Sequence, residues 1–77
     1  MLKPGEILLI KLICDNAGKF NFYTLDRAAR RNGWLDLNDG YLLGVFYSLV
    51  DRGYVLANKA EGQIEPHYWI TDAGARA

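Results

Sequence analysis

Apolar residues recur along this chain at the three- and four-residue steps that gather side chains on one helical face, most clearly at Leu42, Val45, Phe46, Leu49 and Val50. The spacing predicts one amphipathic helix within Leu37–Val55, buried along that stripe. Tyr41, Gly44, Tyr47, Ser48 and Asp51 fall on its remaining surface. Asp36 or Asn38 is placed to accept from the free N–H groups at its start, Asp39 suits the positive end of its dipole, and Gly53 suits the left-handed residue that stops it.

Upstream, Pro4 and Glu6 fit the first turn of a helix over Pro4–Asn16, ended by Asn16-Ala17-Gly18. Ile7 to Cys14 leave it almost no polar face, which makes a strand the competing reading and gives the helix more apolar surface than one small core requires. Phe20-Asn21-Phe22-Tyr23 starts by alternating apolar and polar, as a short half-buried strand does, and Thr24 then caps a second helix, Leu25–Asn32. That helix turns Leu25, Ala28 and Ala29 inward and Arg27, Arg30 and Arg31 outward, and Gly33 stops it. Trp34-Leu35-Asp36 is a tight connection, with Trp34 wedged between the helices it joins.

Beyond Gly53, residues 54–57 and 67–71 are two strand-like runs, separated by a loop from Asn58 to Pro66 that contains Gly62. The order helix, short strand, helix, helix, hairpin is that of an α+β winged helix-turn-helix: three helices, a short first strand and a two-stranded C-terminal wing, in one domain over residues 1–77. In DNA-binding members of that architecture the third helix enters the major groove.

Composition narrows this little. The chain has 77 residues, close to the lower limit for a self-sufficient core, and half of them are hydrophobic, which excludes disorder. The apolar run from Ile7 to Ile13 is interrupted by Lys11 and falls far short of the roughly 20 residues of a membrane span. Cys14, the single cysteine, reads as a small buried hydrophobe; with no internal disulfide to form, a reducing, cytoplasmic setting is expected. One cysteine and one histidine supply no zinc site, no cofactor motif appears, and His67 reads as structural rather than catalytic.

Charge is neutral in sum yet unevenly divided: residues 1–33 hold six Lys/Arg against three Asp/Glu, and residues 34–77 hold three against six. Duplex DNA attracts cations to its phosphates. Arg27, Arg30 and Arg31 are therefore the candidate phosphate contacts, with Lys59 at the wing tip. Asn38, Tyr41, Tyr47 and Ser48 are the candidate groove contacts, and Gly44 allows a close approach to the groove. The opposing reading is a protein-docking surface built from Tyr41, Leu43 and Tyr47, since exposed apolar and aromatic groups with few charges mark protein interfaces.

Residues 37–55, LNDGYLLGVFYSLVDRGYV, resemble the PadR-family pattern at Gly40, Leu42, Phe46, Leu49, Gly53 and Val55. The tail, HYWITDAGAR, is similar to the end of the wing in PadR-like and MarR-like regulators. The resemblance implies a bacterial or phage transcriptional regulator that binds double-stranded DNA as a homodimer, with the third helix and the wing as the contacting parts. Members of that family pair through a helix beyond the wing, where this sequence ends at Ala77, so self-association is expected instead through the apolar first helix.

Overall fold

In the computed structural model, which describes residues 2–77, the elements are α1 (Pro4–Asp15), α2 (Phe22–Arg31), α3 (Trp34–Leu37), α4 (Leu42–Asp51), β1 (Val55–Asn58), β2 (His67–Ile70) and α5 (Asp72–Arg76). This is a small α+β domain. Where three helices were expected, five are present among the described residues, because the Trp34 connection closes into one helical turn and the tail after β2 coils into another. No helix among them is long and apolar enough to cross a membrane, and they contain no group of three or more His, Cys, Asp or Glu able to hold a metal ion.

The nearly all-round apolarity of α1 follows from its place in the fold, since α2, α3, α4, α5 and β2 all pack against it. Leu9 and Ile13 are fully buried, while Leu8, Ile10 and Leu12 lean on the core from its margins. The surface that looked surplus is thus largely consumed within the domain; Ile7 is the one large hydrophobe of α1 left exposed. Cys14, expected inside, is exposed, because it lies in the last turn beside the stripe of Gly5, Glu6, Leu9 and Ile13 rather than on it.

The segment expected as a first strand is instead the opening of α2. Asn21, not Thr24, is the cap: its Oδ1 accepts from Thr24 N at 2.9 Å, and Thr24 Oγ1 accepts in return from Asn21 N at 3.0 Å. Two orphan donors are satisfied reciprocally, so the helix starts at Phe22, three residues before the expected Leu25. A remnant of strand pairing survives just upstream, where Gly18 N donates to Tyr68 O (2.8 Å) and Tyr68 N donates to Phe20 O (3.1 Å).

Between α2 and α4 the chain makes three left-handed steps, at Gly40 (φ 93°) and, flanking α3, at Gly33 (φ 92°) before it and Asn38 (φ 55°) after it. Glycine meets the first two without steric cost, and asparagine is among the few other residues that tolerate the third. Trp34 is buried, its ring so close to Gly5 that a Cβ there would come within 2.8 Å of Cζ3. Asn38 therefore closes α3 rather than capping the next helix. α4 begins at Leu42, five residues later than the start of the apolar segment suggested, with Tyr41 at its N-cap and no side chain bonded there.

Asp39 does not serve the dipole of α4 but that of α1, its Oδ2 accepting from Gly5 N at 2.6 Å. The neighbouring Glu6 is buried and serves two partners. Its Oε1 accepts from Lys3 N at 2.7 Å and its Oε2 lies 3.0 Å from Arg52 Nη2, beyond the last turn of α4.

Gly53 (φ 77°) ends α4 as expected and turns the chain into the antiparallel hairpin, with Val55 opposite Ile70 and Asn58 opposite His67. Both strands start one residue or fewer from their expected positions. The corner is then locked: Thr71 Oγ1 donates to Gly53 O at 2.6 Å and accepts from Gly74 N at 3.1 Å, capping α5, while Thr71 N donates to Tyr54 O.

Candidate nucleic-acid interface

Leu42, Phe46 and Leu49 bury one side of α4, leaving a face on which Tyr41 is 90 %, Tyr47 56 % and Leu43 45 % exposed. Gly44 sits in the middle of this face with open space above its Cα. Candidate groove residues are thus assembled on one helix, but not on one line. Leu43 and Tyr47 border α2, Ser48 borders the opposite flank with Lys3, Glu6, Asp39 and Arg52, and Tyr41 reaches both sides. Asn38 is exposed in the turn before the helix, its backbone committed to closing α3.

The space between α2 and α4 is an open, mainly apolar groove of ≈490 Å³ lined by Phe22, Asp26, Arg30, Tyr41, Leu43 and Tyr47 among others. Arg30 is the one cation there, and its Nε is bound to Asp26 Oδ2 at 3.1 Å. The three arginines of α2 do not line one hollow. Arg27 and Arg31 face the other flank, where they line a second hollow with Lys19, Phe20 and Thr24. Arg27 also lies over the ring of Tyr23, 5.5 Å from its centroid, and donates to its hydroxyl.

Lys19 was not anticipated, because it stands in the turn after α1 where no periodicity assigns a face; only the topology brings it beside residues eight and twelve positions downstream. Lys59 is exposed at the start of the hairpin loop, just before a turn closed by Gln63 N donating to Ala60 O. Beyond that turn Ile64 is 90 % exposed, so the loop presents an apolar side chain as well as its single lysine.

Behind this surface the rings of Phe22, Phe46 and Tyr68 pack in sequence, edge-on and then tilted, with centroids 5.4 Å and then 4.7 Å apart, joining α2, α4 and β2. Burial raises the Tyr68 hydroxyl above its usual value of 10.0, and the nearby Tyr47 and Glu65 raise it further. The folded chain therefore holds this proton more tightly than the unfolded chain does. Stability from Tyr68 is complete below pH 10 and is lost as pH rises through the elevated folded value. Chemical denaturation between pH 9 and 11.5, roughly the range that brackets a tyrosine, should show a steeper alkaline loss for the natural chain than for Tyr68→Phe. Parallel curves would place Tyr68 in water.

No family model, no curated protein and no solved structure matches this chain.

Proposed function

We propose that this protein is a winged helix-turn-helix that binds duplex DNA in transcription control, with α2, α3 and α4 as the helix-turn-helix, the β1–β2 hairpin as the wing, and α4 in the major groove. The observation that carries the reading is the uncovered face of α4, open at Gly44 and bordered by tyrosines, standing beside a helix whose far flank is cationic. Tyr41, Tyr47 and Ser48 would contact base edges and groove walls, Asn38 the backbone at the helix start, Arg27 and Arg31 the phosphates, and Lys59 the backbone met by the wing. Catalysis has no role in it.

Binding of the protein to random duplex DNA, read by fluorescence anisotropy across a salt series, tests the proposal. Affinity should fall with a log–log slope of about −0.9 per phosphate engaged. A flat response, or no binding at low salt, would overturn it.

A second reading is favoured by the groove itself. Its apolar lining by Phe22, Leu43 and Tyr47, with Arg30 already paired, suits the side chains of a protein partner. Leu43→Glu separates the two: it should abolish docking of a protein partner, whereas for DNA it should weaken affinity and flatten the dependence on salt only through one added negative charge.

A further inference from the structure

We infer that Lys19, Arg27 and Arg31 form a single phosphate-binding cradle for the DNA backbone, and that it, rather than the row Arg27, Arg30 and Arg31, is the electrostatic anchor of the molecule. The inference rests on the DNA-binding reading above and assigns its anchoring site.

Ion pairing isolates these side chains. Among the described residues, the cation–carboxylate contacts within 4.0 Å are Arg30 with Asp26 and Arg52 with Glu6. Lys19, Arg27 and Arg31 share one hollow of ≈330 Å³ whose other walls are Phe20 and Thr24, with no carboxylate among them. Arg27 and Arg31 are one helical turn apart on α2, and Lys19 comes to them from the turn after α1. In a chain of zero net charge, three unpaired cations around one concavity concentrate positive potential where little else on the surface does. The planar forks of the two arginines suit phosphate oxygens, and Thr24, whose hydroxyl already bonds Asn21, leaves the floor uncharged.

The position is also right for a backbone. The hollow lies on the flank of α2 away from α4, roughly one helix diameter of 10–12 Å from the groove that α4 lines. With α4 filling a major groove about 12 Å wide, the helix packed beside it crosses the bordering strand, and α2 carries the hollow there.

The test compares four variants, Lys19→Ala, Arg27→Ala, Arg31→Ala and the triple, with Lys11→Ala as a control that removes the same charge from α1. Circular dichroism verifies folding, and anisotropy with random duplex DNA is recorded from low to high salt. Each cradle substitution should lower affinity roughly eightfold at 0.1 M salt and flatten the log–log slope by about one; the triple should lower affinity a few hundredfold, equally for all sequences. Lys11→Ala should change the slope by far less. If the natural chain binds DNA and the triple binds it with the same slope, the cradle is overturned while the DNA reading stands. If cradle and Lys11 variants lose the same amount, only total charge matters and the cradle is likewise overturned. If the natural chain binds no DNA at any salt, both fail together.

Discussion

Phe46→Ala is expected to remove most of the stability of the domain. Phe46 is 3 % exposed and its ring is the middle member of the series that runs from Phe22 on α2 to Tyr68 on β2. Truncating such a ring forfeits its transfer from water and leaves a cavity that its neighbours fill only in part, together about 3–5 kcal/mol. A domain of 77 residues has about 4–12 kcal/mol in all at typical values per residue. The midpoint of thermal unfolding should therefore fall by roughly 15–30 °C, or the variant should be unfolded at room temperature. Circular dichroism melts measure this directly. Leu43→Ala, on the exposed face of the same helix, should shift the midpoint by only a few degrees. A loss at Phe46 no greater than at Leu43 would contradict the packing described.

The second large effect separates two glycines that one substitution treats in opposite ways. A Cβ at Gly74 would overlap the carbonyl oxygen of Tyr54 and come within 2.9 Å of Ile70 Cγ2. That carbonyl is held in place by Thr71 N at 3.0 Å, so the obstacle is fixed backbone rather than a side chain that can swing aside. Gly74→Ala should cost about 2–3 kcal/mol as the corner between β2 and α5 is pushed apart. At Gly44, in the first turn of α4, an added Cβ meets nothing within 4 Å. Gly44→Ala should stabilise the fold by about 1 kcal/mol, the usual helix preference for alanine. Urea denaturation of the two variants side by side decides both signs. Should Gly44→Ala also weaken DNA binding while raising stability, close approach of α4 to the groove would be the reason for the glycine.

How much of this was legible in the sequence depended on the length and loneliness of each element. α4 was legible because Leu42, Phe46 and Leu49 repeat over two turns on one buried stripe, and Gly53 marks its end. α3 and α5 were not, because four or five residues complete too little of a period to show one. Phe20 to Tyr23 misled for a different reason. The alternation there was produced by a capping asparagine between two aromatic residues that pack in different places, and capping by Asn21 overrode the strand preference of Phe22 and Tyr23. The apolarity of α1 was read correctly, but how much of it the domain itself uses was not legible, since a helix packed by five other elements has the same composition as one waiting for a partner. The split of the α2 arginines was out of reach, because which flank a cation serves is decided by the elements beside the helix, and Lys19 joins Arg27 and Arg31 only through tertiary folding.

Gly5 and Glu6 are consecutive, yet they hold opposite ends of the α4 segment, Gly5 through Asp39 before the helix and Glu6 through Arg52 after it. A rod pinned at one point swivels, and a rod pinned at two keeps its pitch. α4 thus meets any partner at an angle fixed during folding, and little orientational entropy remains to be lost on contact. The same mounting runs in reverse: whatever displaces the first turn of α1 drags both pins, and re-aims α4 as a stiff lever without touching its exposed face.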